Sequence, residues 1–459
     1  MIPVTTFSGK RVVVMGLGGS GLPTAKALLA GGADVVGWDD GEAVREKARV
    51  AGVAVLDLQG ADWSGFDALV LSPGIPLTHP QPHWSVVKAA EASIPVTGDV
   101  DLFFMQRAAL CPEAPVLAIT GTNGKSTTTA LATHALKELG FDTAMGGNIG
   151  VPVLDLPSPE PNRHYVIECS SYQIDLSQHL RPTVGVHLNL SEDHLQRHGT
   201  MENYASVKAR LVRAAQIAIV GVDDPFSLTI ADDLERSGRT VWQISTKASV
   251  LKGAFARGSE IWLARDGEET RLFDLAGVAS LKGEHNSQNV CAVTVALVSF
   301  GVEPDRIGDA VRSFPGLAHR MEPVTTVNGV TFVNDSKATN ADAAARALAS
   351  YRGIHWIAGG QDKSDGIDSL NGFFAQMIKA YLVGKAQDRF AQTLEGKVPF
   401  VRAETVEDAT RLAAKDAFAL GGEATVLLSP ACASWDQFSS FEARGDAFKR
   451  SVAKVLEDL

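Results

Sequence analysis

Cysteine is scarce in this chain: four residues in 459, at positions 111, 169, 291 and 432, with no pair at redox or metal-knuckle spacing. That excludes a disulfide scaffold and a cysteine-built zinc site, and it predicts reduced, buried thiols in a reducing compartment. Positive charge is short as well. With 42 basic against 53 acidic side chains the formal charge is -11, so the footprint of a duplex-binding protein is missing and no nucleic-acid partner is expected. Long apolar runs are absent, none approaching the ~20 residues that span a bilayer. The opening Met1-Ile2-Pro3-Val4 has neither the basic region nor the apolar stretch of a secretion signal. A soluble cytoplasmic protein with no membrane partner is expected, and the chain shows no internal repeat or low-complexity tract.

Hydrophobic side chains make up 45% of the sequence, enough to give each of two to four domains its own core. Short β-branched runs alternate with glycine-rich punctuation and amphipathic stretches, the pattern of parallel α/β layers. Strands are predicted at 11–15, 33–38, 67–71, 116–120, 165–169, 184–190, 354–358, 380–383 and 425–429, with a helix over 406–420. The interval 248–281 alternates differently around Asp266-Gly267 and predicts a small antiparallel insertion beside the central sheet. Proline- and glycine-rich breaks at 98–115 and 314–317 divide the chain into three domains, 1–108, 109–316 and 317–459.

The first strand runs into Gly16-Leu17-Gly18-Gly19-Ser20-Gly21, and the second ends near Asp39. Glycines there permit a tight turn and the close approach of a diphosphate to a helix N-terminus, with Asp39 placed to meet a ribose. NAD, another nucleotide, or a bare structural turn all fit this motif. Ser72-Pro73-Gly74-Ile75-Pro76 closes the next strand at the same sheet edge, and reads either as part of a ligand site or as a plain turn.

Gly121-Thr122-Asn123-Gly124-Lys125-Ser126-Thr127 lies between an apolar strand and a helical stretch. This is the setting of a phosphate loop: amides aimed at phosphate oxygens, Lys125 supplying charge, and the Ser126 hydroxyl available to magnesium. Its spacing is shorter than usual, since Ile119 stands where the first glycine is expected. Glu168 ends one neighbouring strand, and Asp193 and His194 follow another. Glu168 with Ser126 makes a cation site of oxygen ligands; Glu192 and Asp193 are equally readable as solvated loop residues, and His194 as a hydrogen-bonded histidine.

Together with Glu168-Cys169-Ser170-Ser171-Tyr172-Gln173, Asp193-His194, His285-Asn286, His319-Arg320, the block from Asn334 to Asn340 and the block from Ser429 to Phe438, these motifs resemble the Mur ligase family in order along the whole chain. Its members are ATP-dependent amide ligases of peptidoglycan precursor synthesis, and the two C-terminal blocks resemble the D-glutamate-adding branch. The resemblance implies an α/β fold of three domains: a Rossmann-like N-terminal domain, a central P-loop ATPase-like domain and a Rossmann-like C-terminal domain. It also implies a UDP-sugar in place of NAD, contacted by Gly18, Gly19, Ser20, Gly21, Asp39, Ser72 and Asn148. The short loop is the family's own form. ATP is then held by Gly121, Thr122, Asn123, Gly124, Lys125, Ser126 and Thr127, with Asn286, Asn289, Arg320 and Asp335.

D-glutamate is implied at Lys337, Thr339, Lys363, Ser434 and Phe441, and magnesium, as two ions, at Ser126, Glu168, His194 and a carbamylated Lys208. Lys125, Glu168, His194 and Lys208 are the implied catalytic set, and the implied partners are UDP-N-acetylmuramoyl-L-alanine and D-glutamate, bound by a monomer. Without the resemblance, Asn289 reads as an exposed helix face, Lys363 as a loop lysine and Lys208 as a surface lysine. The nearest alternatives are another Mur ligase or a folylpolyglutamate-type synthetase. An NAD-dependent oxidoreductase accounts only for the first glycine motif, and a nucleotide switch only for the phosphate loop.

Overall fold

The computed structural model describes residues 1–361 and 366–457, and its strands form three sheets. The first contains β1 (Arg11–Met15), β2 (Asp34–Trp38), β3 (Ala54–Val55), β4 (Ala68–Leu71) and β5 (Val96–Thr97) in the order 3-2-1-4-5, all parallel. Val12, Val13, Val14 and Met15 are all buried, as a central strand covered on both faces requires. The strand order reverses at β1 and β4, and the crevice beyond their carboxyl ends is where open α/β sheets bind ligands.

The second sheet contains β6 (Val116–Thr120), β7 (Thr143–Gly147), β8 (His164–Glu168), β9 (Val184–His187), β10 (Ile217–Gly221), β11 (Val241–Ser245), β12 (Gly253–Arg257), β13 (Glu260–Arg265) and β14 (Glu268–Asp274). Their order is 14-13-12-11-10-9-6-8-7. The predicted antiparallel piece is β12 to β14, and it does not sit apart from the sheet. β12 pairs parallel with β11, and the hairpins then continue the same edge.

The strand predicted over 184–190 ends instead at His187. Its continuation leaves the ladder to brace the neighbouring loop. Leu188 N donates to Thr120 O at 3.0 Å and Asn189 O accepts from Thr122 N at 2.9 Å, while Asp224 Oδ2 accepts from Leu190 N at 2.9 Å.

The third sheet contains β15 (Glu322–Val327), β16 (Val330–Asn334), β17 (Ile354–Gly359), β18 (Met377–Val383), β19 (Phe400–Arg402) and β20 (Ala424–Leu428), ordered 15-16-20-17-18-19. Only β15 runs antiparallel to its neighbour.

The chain packs as two compact units, one of Met1–Ala276 with Asn286–Ser313, the other of Gly277–His285 with the chain from Phe314 onward. The first two sheets share one unit because a single apolar core runs through both. Phe103 and Phe104 of the helix Asp99–Leu110 pack in it with Val12 and Val14 of β1 and with Val116 and Ala118 of β6. All four cysteines are free thiols and buried, as predicted for core packing. Among the described residues no helix is long and apolar enough to cross a membrane.

Candidate active site

At the carboxyl ends of β1 and β4 lies a cavity of about 500 Å³, lined among others by Gly16, Gly18, Gly19, Ser20, Asp39, Ser72 and His83. The glycines divide by what surrounds them. Gly16 has φ +84°, and a Cβ there would lie 2.8 Å from Ser72 Cβ; a Cβ at Gly21 would run into the Gly16 carbonyl. Those two are demanded by packing. Gly18 and Gly19 would meet nothing within 4 Å, so their bare backbone faces open space that a ligand can approach. Ser72 Oγ donates to Gly16 O at 2.8 Å, and Asp39 accepts Leu17 N and Gly41 N, each at 2.8 Å. Both side chains therefore build the turn as well as line the cavity.

Asn148, implied as a contact of the same ligand, is not among the cavity's lining residues. Its amide donates to Glu168 Oε1 at 2.8 Å, and its backbone N–H donates to Glu168 O at 2.9 Å. It is tied to a strand end of the central sheet.

The phosphate loop follows β6 and feeds the helix Lys125–Glu138. Gly121 has φ +152° and Gly124 φ +84°, and a Cβ on Gly124 would strike the Asn289 side chain. Asn289 is not an exposed helix face. It is buried, accepts from Thr128 Oγ1 at 3.0 Å and donates to Asn286 Oδ1 at 3.1 Å, so the helix Glu284–Ser299 presses Asn289 against the loop. Asn123 N donates to Asn189 Oδ1 at 2.9 Å, and the amide of Asn189 donates to Gln288 Oε1 at 2.8 Å. Side chains from outside the loop thus brace it, which spares reorganisation when charge develops on a phosphoryl group.

Two ammonium groups meet on one carbonyl. Lys125 Nζ donates to Gly121 O at 3.0 Å and Thr122 O at 2.8 Å; Lys208 Nζ donates to the same Gly121 O at 2.7 Å and to Thr120 Oγ1 at 3.2 Å. Lys208 is 1% exposed rather than a surface lysine. Burial holds its pKa well below the ordinary lysine value, and the charge of Lys125 lowers it further, against the opposing pull of Asp193, Glu168 and Cys169.

Glu168 ends β8 beside Ile119 of β6 and is 1% exposed. Its Oε2 is buried and, among the described residues, has no hydrogen-bond partner. His194 adopts a left-handed φ of +56°, uncommon outside glycine, and pairs with Asp193 at 3.3 Å. Burial lowers its pKa, as do Lys125, Lys208 and Arg197, with Asp193 opposing, so the ring is biased toward its neutral, acceptor form.

In the second unit, Asp335 at the end of β16 is buried, accepting Ser429 Oγ at 2.7 Å and Met321 N at 3.1 Å. Burial raises its pKa to about 7. Between the unfolded carboxyl value near 4 and that folded value, the folded state keeps a proton that the unfolded state releases, so stability falls as pH rises through this window. Asp335→Asn removes this dependence. We expect its melting temperature to exceed that of the parent at pH 8 and to match it at pH 4, a gain on the order of 4 kcal/mol at the higher pH, since about three pKa units are involved. Parallel melting profiles of the two proteins across pH 4 to 8 would refute the ascribed cost.

Lys337 Nζ lies 3.8 Å from the centroid of the Phe441 ring, bringing two of the implied D-glutamate residues together. Ser434 is buried, and its carbonyl accepts Phe438 N at 2.8 Å. Thr339 is half-buried in the loop after β16. Lys363 lies outside the described residues.

Arg444, unmarked in the sequence, ties these blocks together. Fully buried, it donates to Ser336 O at 2.8 Å, Ser336 Oγ at 3.0 Å, Cys432 O at 3.0 Å and Ala433 O at 3.2 Å. Tyr172 falls inside the block from Glu168 to Gln173 without a role of its own, and Asn189, Gln288 and Arg197 carry no sequence signal because their partners lie far along the chain.

A glycine cavity at a doubly wound switch point and a phosphate loop opposite a buried carboxylate define a nucleotide-using α/β enzyme of the phosphate-loop class. Comparison with known families narrows the class. Residues 119–297 match the Mur ligase middle domain, and 319–432 the Mur ligase glutamate ligase domain. The chain is 54% identical to the UDP-N-acetylmuramoylalanine--D-glutamate ligase of Rhizobium meliloti, covering 99% of this chain and 98% of that protein. It is 53% identical to the protein of the same name from Agrobacterium fabrum, over 99% and 97%. Among solved structures it resembles the UDP-N-acetylmuramate-alanine ligase MurC of Thermotoga maritima, with TM-score 0.59 and 16% identity, covering 98% of this chain and 100% of that one. MurF of Acinetobacter baumannii gives TM-score 0.58 at 16% identity, over 100% and 93%. The chain belongs to the Mur ligase family.

Proposed function

We infer that the chain is an ATP-dependent amino-acid ligase of peptidoglycan precursor synthesis, which joins D-glutamate to UDP-N-acetylmuramoyl-L-alanine. Full-length similarity to ligases of that name supports the substrates. One structural observation supports carboxylate activation as the chemistry: the cluster of Lys125, Lys208 and the half-satisfied Glu168 carboxylate at the mouth of the phosphate loop. A nicotinamide reading of the glycine cavity is left without support, because the rest of the chain matches ligase domains.

In this reading the cavity at Gly18, Gly19, Ser20, Asp39 and Ser72 takes the uridine diphosphate, with Asn148 acting from the Glu168 strand end. The loop from Gly121 to Thr127 holds the triphosphate, assisted by Asn286, Asn289, Arg320 and Asp335. The terminal carboxylate of the UDP substrate attacks the γ-phosphorus of ATP, giving an acyl phosphate and ADP. The amine of D-glutamate, held by Lys337, Thr339, Lys363, Ser434 and Phe441, then attacks the acyl carbon and expels phosphate as it loses a proton. His194 in its neutral form and a carbamate on Lys208 are the two groups able to receive that proton. Positioning and charge neutralisation supply most of the rate.

The residues present suit magnesium. It prefers oxygen ligands and keeps waters, so an unsatisfied buried carboxylate oxygen at Glu168, the Ser126 hydroxyl and phosphate oxygens make a fitting set. Among the described residues no three His, Cys, Asp or Glu side chains converge into a protein-only metal cage. His194 and a carbamylated Lys208 would complete a second such site. Magnesium there would neutralise charge on the transferred phosphoryl group.

We further place the domain boundaries at 108/109 and 316/317, and the working form as a cytoplasmic monomer. The function is tested by ADP and phosphate release with UDP-N-acetylmuramoyl-L-alanine against D- and L-amino acids. Release is expected with D-glutamate and not with L-glutamate, L-alanine or diaminopimelate. Turnover with one of the others in place of D-glutamate would assign the chain to a sister ligase.

A further inference from the structure

Arg197 is four residues past Asp193, on the short helix Leu195–His198 whose N-cap is His194, and the reaction scheme assigns it no role. Its guanidinium reaches the loop that closes β4. Nη1 donates to Gly74 O at 2.8 Å, and Nη2 to Ile75 O at 3.0 Å and Pro73 O at 3.4 Å. Gly74, Ile75 and Pro73 all line the glycine cavity. The guanidinium also lies over the Tyr172 ring, 4.5 Å from its centroid. Tyr172 in turn lies 5.0 Å from the His194 ring and stacks on His198 at 5.6 Å. It is the second residue of the helix Ser171–Asp175, four residues after Glu168 ends β8.

One side chain therefore spans two features of the molecule that the reaction must hold in register. Three successive carbonyls of the cavity rim are gripped by a planar fork, and that fork is anchored to the ring that borders His194. Among the described residues Arg197 makes no ion pair; its hydrogen bonds go to these carbonyls. A guanidinium used in this way fixes direction and spacing, which a lysine's single point charge does not. A misplacement of about 1 Å between reacting groups can cost on the order of 100-fold in rate.

We propose that Arg197 is a positioning residue, setting the distance between the diphosphate-binding cavity and the phosphoryl-transfer centre at Glu168 and His194. The proposal rests on the ligase reading above. With the carbonyls of Pro73, Gly74 and Ile75 clamped, the cavity rim cannot drift from the central sheet. The muramoyl carboxylate of a substrate anchored by its diphosphate then arrives at a fixed point beside the phosphate loop.

The test compares the parent enzyme with Arg197→Lys, which keeps the charge and loses the fork, and with Arg197→Met. For the parent, D-glutamate-dependent ADP release must be seen; its absence defeats the ligase reading and not the role of Arg197 in particular. Given parent activity, Arg197→Lys is expected to raise KM for UDP-N-acetylmuramoyl-L-alanine and lower kcat, each about tenfold, with KM for ATP within twofold of the parent. UDP alone, titrated calorimetrically into the folded variant, should bind about tenfold more weakly. Unchanged constants would overturn the proposal. So would a fall in kcat alone, or a parallel rise in the KM of both nucleotides, because general loosening of the fold gives those patterns. If Arg197→Met does not fold, Arg197→Lys and the UDP titration decide.

Discussion

Lys125→Ala is expected to lower turnover by on the order of 10³-fold while leaving binding of the UDP substrate within a few-fold of the parent. Lys125 Nζ rests on the carbonyls of Gly121 and Thr122, inside the loop and at the N-terminus of the helix Lys125–Glu138. Removing it takes away the ammonium charge of the phosphate loop. The glycine cavity on the first sheet is built by Gly16, Ser72 and Asp39, none of which touches Lys125, so it should be unaffected. Steady-state ADP release and calorimetric binding of UDP-N-acetylmuramoyl-L-alanine separate the two effects. Turnover close to that of the parent would defeat the phosphoryl-transfer scheme, and concurrent loss of UDP-substrate binding would show that the two sites are not independent.

Lys208→Met should give the second large effect, a loss of on the order of 100-fold or more in activity, together with a melting temperature above that of the parent in buffer free of carbon dioxide, where the parent amine is unmodified. As an amine, Lys208 is badly placed: fully buried, and sharing the Gly121 carbonyl with Lys125. Its depressed pKa means that the unfolded state holds more protons in the window between the folded value and the ordinary lysine value near 10.4. The resulting penalty is present in full below the folded pKa and fades as pH rises through that window. Methionine, of similar reach and without charge, removes the penalty.

The same depressed pKa keeps a population of neutral amine, the form that adds to carbon dioxide to give a carbamate and release a proton. A carbamate would turn the repulsion with Lys125 into attraction and offer oxygen atoms to magnesium. We therefore expect activity of the parent to fall when bicarbonate and carbon dioxide are stripped from the buffer, and a carbamate carbon resonance to appear with ¹³C-bicarbonate. Full activity in Lys208→Met, or indifference of the parent to carbon dioxide with no such resonance, would refute the modification.

The two predictions concern residues of different legibility. Lys125 is visible in the chain because a phosphate loop is local: seven consecutive residues between a strand and a helix specify both the backbone turns and the charge. Lys208 is not. Its helix, Met201–Ala214, shows an unremarkable amphipathic pattern, and only packing against β6 buries the ammonium beneath Gly121. Asp39 and Ser72 were visible as cavity residues, but their hydrogen bonds to the glycine turn were not, because these join strands 22 and 56 residues apart in sequence.

Asn148 shows the limit from the other side. The resemblance implies a uridine contact for it, and only the fold shows that its amide also donates to the carboxylate of Glu168.

By itself the sequence determined the α/β class, the glycine turn, the phosphate loop and the order of the motifs, all of which depend on short-range spacing and backbone preference. Tertiary structure alone decided that Lys208 is buried beside Lys125, that Glu168 keeps an oxygen without a hydrogen-bond partner among the described residues, and that Arg197 grips the cavity rim. Each of those follows from desolvation and from contacts between residues distant in the chain, whose free energies are set only when strands 6, 8 and 9 and their loops come together.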